Sequence, residues 1–559
     1  MRMQEKEFNL LKEPWIRVIT PSLESKEVSL TEALVHAHEY VDLSGEMPTQ
    51  DAAMLRILLA VAVTVFYRYD IYGEEAELSE ENGSDPEDVL ERWEEYWKMG
   101  RFPEQAVQDY LEAYEERFWL FHPKTPFWQV ADLQYGTNYG VECLFGNIKE
   151  SMNKATRHHF SMTDGEEMYR LNYGEAARWL VHLNAYAINL KTDKNAPGTT
   201  LPVGTGRLGQ LGFVMVNGGN LFQILMLNLC ALDSNEELWN PPKPFWEQEV
   251  CGEQSRKINP PDNLPERYTL QSRRIMLKRD SSGNLTGFRA LGGDFFEIEN
   301  DSGEPMTIWK EKQVDKKTGE ELPLRPQLHS PAVHAWREFP ALFSAKSSSK
   351  KEETLPGVVR WVNTLCGERM LSADFFITFR MIGMVYGDQM KYNYGDCVND
   401  TLTLSAKLLD ELNRSERAWI TRISDQIEKC QAVAGNALNH FAYKVCKLFY
   451  GNGSAKNGIK DHLIRQYYFS IDAPFREWLA GIDPTQMSID ETCAKWERQS
   501  SRYARRTVED YIATLGTDLY IYREDDSRGS KAGILSIPKI MNEYLAELNI
   551  IYVQTENTP

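Results

Sequence analysis

Beyond about residue 400 the chain stops interrupting itself. Four stretches of helical periodicity, roughly 401–450, 457–481, 487–515 and 530–551, are separated only by Gly451-Asn452-Gly453, Gly481-Ile482-Asp483-Pro484 and the polar run Arg523 to Ser530. Helices joined by such short connections bury their apolar faces as an antiparallel bundle. Upstream, from about 120 to 395, the pattern is the opposite. Pro241-Pro242-Lys243-Pro244, Asn259-Pro260-Pro261-Asp262 and Ser281-Ser282-Gly283-Asn284 punctuate β-rich runs such as Phe213 to Val216 and Phe288 to Ile298. The first 130 or so residues are mixed: Val28 to Leu34 opens an amphipathic segment and Ala52 to Tyr67 is a strongly apolar helix. Behind the helix start Asp85-Pro86, Trp93, Trp97, Tyr110 and Tyr114 recur at near-helical spacing. The predicted fold class is therefore α+β, an irregular mixed domain over 1–398 followed by a helical bundle over 399–559. With 559 residues the chain is too long for one core, which agrees with this division.

The apolar run Ile57 to Tyr67 is about half what a bilayer needs, so it reads as a core helix and no membrane association is expected. The N-terminus, Met1 to Glu7, mixes both charges ahead of no apolar segment, which argues against secretion. Eight scattered cysteines signal neither a disulfide framework nor a zinc knuckle, and reduced thiols imply a cytoplasmic protein.

A net charge of -20 excludes a protein that coats nucleic acid by bulk electrostatics. Eleven acids against one base between Glu74 and Glu95 read as a solvated loop and helix face. Bases cluster in two places, Arg267, Arg273, Arg274, Lys278 and Arg279, and Lys495, Arg498, Arg502, Arg505 and Arg506. Local positive patches on an acidic body fit a protein that touches a polyanion at chosen positions.

Enzyme motifs fail on context. Gly204-Thr205-Gly206-Arg207-Leu208-Gly209 matches G-x-G-x-x-G, but a Pro/Thr loop precedes it and the β-like run Leu211 to Val216 follows, where a dinucleotide site needs a strand and then a helix. His158 and His159 are adjacent, so their side chains diverge; Asp461-His462 falls in a bundle helix. No catalytic residue, metal site or cofactor is predicted. Two other readings stay open from the residues alone, a metal-dependent nuclease and a protein-only scaffold subunit.

The N-terminal run Phe8-Asn9-Leu10-Leu11-Lys12-Glu13-Pro14-Trp15-Ile16-Arg17-Val18 resembles the opening of the CasA family, the large subunit of the type I-E CRISPR surveillance complex Cascade. Further matches follow in order: His122-Pro123, Tyr268-Thr269-Leu270-Gln271-Ser272-Arg273-Arg274-Ile275, His329-Ser330-Pro331 and Tyr386-Gly387-Asp388-Gln389-Met390. The resemblance implies a globular N-terminal domain, a C-terminal four-helix bundle and a non-catalytic role. Such a subunit recognises the motif flanking the target (PAM) in double-stranded DNA, helps open the duplex for the guide RNA, works among other Cascade subunits and recruits a helicase-nuclease. It implies a wedge at Gln389, flanked by Asp388 and Met390; a PAM-facing loop over Gly198 to Gly204, including Thr199, Thr200 and Leu201; a groove-approaching Lys312, with Lys310 as second choice; and guide-RNA contacts from Phe160, Arg157 and His159. The loop departs from the family's glycine-rich pattern, reading Gly-Thr-Thr-Leu-Pro-Val-Gly, so the resemblance does not carry the family's PAM preference over to this chain.

Overall fold

The computed structural model describes residues 6–149, 165, 169–188, 190, 193–197, 204–297, 299, 301, 303–310, 314–315, 318–320, 322–343, 355–387, 393–414, 416–451, 456–525 and 533–553. The chain divides into two compact units. One comprises Met1–Ala335, Ala345–Met370 and Ile377–Thr401; the other comprises Trp336–Ser344, Leu371–Phe376 and Leu402–Pro559.

The first unit is organised around helix Pro48–Arg68, in which every residue from Thr49 to Tyr67 is buried. It is long and apolar enough to cross a membrane, yet that stretch lies wholly inside the protein. It packs on helices Tyr173–Tyr186 and Leu264–Tyr268. Helix Pro86–Met99 begins as its sequence predicts: the Asp85 side chain accepts from the Glu87 and Asp88 amides in a capping box, and Pro86 occupies the first turn. Trp93 and Tyr96 turn inward while nearly all the acids between Glu74 and Glu95 face solvent. Small sheets surround the central helix. Ser25–Val28, Ile16–Ile19 and Asp42–Leu43 form one; Thr137–Tyr139, Leu285–Gly292 and Arg273–Arg279 form another; Asn393–Ser405, Phe376–Tyr386 and Phe213–Asn217 form a third.

The N-terminal family signature proves to be a core element. Trp15 is fully buried and its indole donates to the Leu10 carbonyl at 2.9 Å. Buried Arg178, on helix Tyr173–Tyr186, donates to the Trp15 carbonyl and to Glu27, each at 2.8 Å, and to Glu46 at 2.6 Å. On the same helix His182 is buried, its Nε2 lies 3.0 Å from Thr49 Oγ1, and burial pushes its pKa down to about 3. The unfolded chain therefore takes up a proton near pH 6.5 that the folded chain refuses. Stability is full above pH 6.5 and falls by about 1.4 kcal/mol per pH unit below it. Denaturant titrations of wild type and His182→Gln between pH 7 and 4.5 should show a shallower pH slope in the variant; parallel slopes would rule out His182 as the group responsible.

The second unit contains the bundle. Ala418–Ala432 continues through a π-helical stretch, Val433–Leu438, into Asn439–Tyr450, followed by Lys456–Ala480, Ile489–Ala513 and Ile537–Val553. Ser500 is a shared polar node: its hydroxyl lies 2.7 Å from Tyr552 Oη, 3.3 Å from Tyr467 Oη and 3.6 Å from Cys430 Sγ, so one side chain links all four helices. Two predicted helix starts move. The strand Asn393–Ser405 runs through Thr401-Leu402-Thr403-Leu404, where Leu402 and Leu404 are buried and alternate with β-branched threonines, a two-residue period that overrides the helical expectation. Gly533–Ser536 pairs with Tyr522–Asp525 as a two-stranded ribbon, delaying the last helix to Ile537.

Candidate nucleic-acid interface

The sheet containing Phe376–Tyr386 sets the geometry. This strand pairs antiparallel with Phe213–Asn217, from Ile382 opposite Phe213 to Thr378 opposite Asn217. Its other neighbour is Asn393–Ser405, and Arg380 Nε reaches across to Asn399 Oδ1 at 2.8 Å. The chain thus leaves the sheet after Tyr386 and re-enters it at Asn393. Because the pairing is antiparallel, the end at Tyr386 is also the end at which residues 204–212 feed into Phe213. A third segment runs the same way. Thr307 bridges Phe213 in antiparallel sense and the Val214 amide donates to Met306 O at 3.0 Å, so residues 305–310 head toward the Tyr386 end. Residues 204–212, residues 308–310 and Tyr386 therefore lie at the same end of the sheet.

Close packing at the C-terminal turn of helix Tyr173–Tyr186 ties two of these together, Tyr386 and residues 204–212. Tyr386 Oη donates to Tyr186 O at 2.8 Å, and Gly206 N donates to Ala187 O at 2.8 Å. A Cβ added at Gly206 would stand 2.4 Å from the Ala185 carbonyl, and one at Gly209 would stand 2.2 Å from Tyr386 Oη. Gly206 therefore serves close backbone approach, and Gly209 leaves room for the Tyr386 ring. Leu208–Gln210 is a 3-10 turn leading into a strand, so the dinucleotide context is missing. Arg273 completes the knot: fully buried, its guanidinium donates to Gly204 O at 2.7 Å, Ser272 O at 2.9 Å and Ala187 O at 3.2 Å. Burial pushes its pKa down to about 10, and its contacts are carbonyls where a buried arginine ordinarily has a carboxylate. Gly146 packs on the same helical turn. A Cβ at Gly146 would lie 2.4 Å from His182 Cε1, and the His182 and Tyr186 rings stack at 5.3 Å.

The eleven residues that the resemblance assigns to DNA or guide RNA, Gln389, Asp388, Met390, Lys312, Gly198, Thr199, Thr200, Leu201, Phe160, Arg157 and His159, lie outside the described residues. Lys310 is described and exposed, and its amide donates to Arg325 O at 2.8 Å. The first basic cluster needs correction, because it is not a surface patch. Arg267 pairs with Asp301 at 2.7 Å, Arg274 with Asp294 at 2.6 Å, and Arg279 lies over the Phe121 ring at 3.7 Å while bonding Glu7. The acids that neutralise Arg267 and Arg274 stand 34 and 20 residues downstream, too far for local charge counting to register. Sequence reasoning also missed Arg273 as the tie between two segments; its only signal was membership of the run Tyr268 to Ile275. Among the described residues, no group of three or more His, Cys, Asp or Glu side chains is placed to hold a metal ion.

Comparison with known proteins gives a consistent result. The family model described as CRISPR-associated protein Cse1 matches residues 9–507. The chain is 27% identical over 500 residues to the CRISPR-associated protein CasA/Cse1 of Thermus thermophilus, covering 86% of this chain and 89% of that one. The crystal structure of Thermobifida fusca Cse1 superposes with a TM-score of 0.81 at 26% identity, covering 99% of each chain. A chain of a CRISPR RNA-guided surveillance complex shares the fold at TM-score 0.64 and 18% identity, over 91% of this chain and all of that one.

Proposed function

The chain belongs to the CRISPR-associated protein Cse1 family, and from that premise we propose that it is the large, non-catalytic subunit of a cytoplasmic RNA-guided surveillance complex. In this reading it recognises a short flanking motif in duplex DNA, starts strand separation for guide pairing and recruits a helicase-nuclease. The observation that carries the proposal is the convergence of three segments, at Gly146, Gly206 and Tyr386, on the last turn of helix Tyr173–Tyr186. Loops rooted together on a rigid scaffold can engage one ligand at once. Gln389 acts as the wedge, since its amide both donates and accepts hydrogen bonds where a base pair is lost. Gly198, Thr199, Thr200 and Leu201, with Lys312, lie along the minor groove, whose degenerate pattern suits tolerance of several motifs. Phe160 stacks on an unpaired guide base while Arg157 and His159 meet phosphate.

Affinity purification of the full chain from its host should bring down a guide RNA of defined length with further subunits. Complexes reconstituted with and without the chain are then compared across targets differing only in the flanking motif. Loss of motif discrimination on omission is the expected result; discrimination that persists without the chain would refute the assignment.

A further inference from the structure

The second basic cluster lies on helix Ile489–Ala513, and the function proposed above does not use it. The helix is sharply two-sided. Cys493, Trp496, Ser500, Ala504, Thr507 and Val508 are buried in the bundle. From Lys495 to Arg506 every exposed position is basic: Lys495, Arg498, Arg502, Arg505 and Arg506. At 3.6 residues per turn these five fall within about 100° of arc, opposite the buried face, and extend about 16 Å along the axis. Glu497, the acid within that span, points away and pairs with Lys429 at 2.6 Å. Arg505 and Arg506 pair with Glu509 and Asp510 one turn on, at 2.6 and 3.6 Å. Lys495, Arg498 and Arg502 have no acidic partner among the described residues.

Such a stripe is not what the bundle's own stability requires. The spacings 495/498, 498/502, 502/505 and 502/506 each place like charges three or four residues apart, which is unfavourable in an isolated helix. In a chain of net charge -20, an unbroken cationic face implies an anion that offsets this repulsion. The face offers no aromatic or aliphatic side chain, whereas protein interfaces are anchored by buried apolar or aromatic residues. Four of its five cations are arginines, whose planar forks match phosphate oxygens in pairs. Successive bases rise by about 4.5–6 Å along the helix, so several adjacent phosphates of one strand lie within reach.

We propose that the exposed face of helix Ile489–Ala513 is a phosphodiester-backbone site, where Lys495, Arg498 and Arg502 hold a nucleic-acid strand without reading its sequence. The inference rests on the reading of the chain as a subunit of a nucleic-acid-bound complex. The strand belongs either to target DNA or to guide RNA, and the test separates the two.

The complete complex is reconstituted with wild-type chain and with the triple variant Lys495→Gln, Arg498→Gln, Arg502→Gln, and association is measured across a salt series for target duplex and, separately, for guide RNA. Each phosphate contact contributes about 0.9 to the log–log salt slope on duplex DNA and about 0.7 on a single strand, so the slope should shrink by about 2 to 3 in one arm. A change in the DNA arm assigns the strand to target, and a change in the RNA arm assigns it to guide. The melting temperature should hold or rise, because the substitutions relieve repulsion. A second variant, Glu509→Gln with Asp510→Gln, frees Arg505 and Arg506 and should steepen the same slope. Unchanged slopes in both arms overturn the proposal, including the case in which only attachment of other protein subunits weakens. Failure of the broader reading shows separately, as wild-type complexes that bind target equally well with the chain omitted.

Discussion

Glu304→Gln is expected to destabilise the N-terminal unit by about 3–5 kcal/mol, the range for removing one partner of a buried ion pair. Glu304 and Arg56 are both buried, joined by two hydrogen bonds of 2.8 and 3.1 Å, with the guanidinium 4.2 Å from the Tyr268 ring centre. Burial pushes the Glu304 carboxyl up, but the Arg56 charge more than cancels this, so its pKa lies below the ordinary value. Arg207 and Arg267 stand close by and share Asp301. Three buried guanidiniums thus face two carboxylates, and losing one leaves Arg56 with no nearby countercharge. The amide keeps the shape, so the cost reports charge and not a cavity. The double variant Arg56→Met with Glu304→Leu should recover part of the loss, because a well-packed apolar pair has no ion to strand. Urea unfolding of the three proteins decides the matter: a loss below about 1 kcal/mol for Glu304→Gln would mean that water or a neighbouring group already serves Arg56. A functional consequence follows. Residues 305–310 lean on this pair and lie against Phe213–Asn217, so the variant should also loosen the root of the segment that carries Lys312.

That pair also marks a limit on what the sequence reveals. Arg56 and Glu304 are 248 residues apart, and nothing in local pattern announces which acid meets the arginine of a helix read as strongly apolar. Features governed by short range were legible: the apolar run that became Pro48–Arg68, the Asp85-Pro86 start, and the long helices after residue 418. Family motifs were legible for a related reason. Trp15 and Tyr268 are buried and Tyr386 half-buried, in contacts that fix how one element meets the next, so their identities are constrained by packing. The arginines of 267–279 misled because an Arg with a distant acid in the core and an Arg facing solvent look alike in one dimension. The roots of the candidate interface depend on pairing Phe213–Asn217 with Phe376–Tyr386, strands 160 residues apart whose partnership no turn signal encodes. The tip residues themselves came from resemblance alone, and they remain a proposal.

The most direct test of that proposal is Gln389→Ala, expected to weaken binding to an intact duplex target by about 10- to 100-fold while a target whose strands are separated beside the flanking motif binds within a few-fold of wild type. Opening the first base pair costs a few kcal/mol in lost stacking and pairing, and a side chain inserted at the gap offsets part of it. A planar amide with one acceptor and two N–H donors can meet the edges of unpaired bases, whereas alanine leaves both the space and the hydrogen bonds unfilled. The strand that leads to Gln389 suits this task because its end is held. Tyr386 is anchored to Tyr186 O, and the strand continues into a sheet with buried Ile377, Phe379, Met381 and Ile382, so force at Gln389 is borne by the core. Had Gln389 been a general contact, both substrates would have gained from it alike, and the alanine variant would lose equally on each. The wedge therefore rests on the difference between the two affinities, and a uniform loss of any size would remove it.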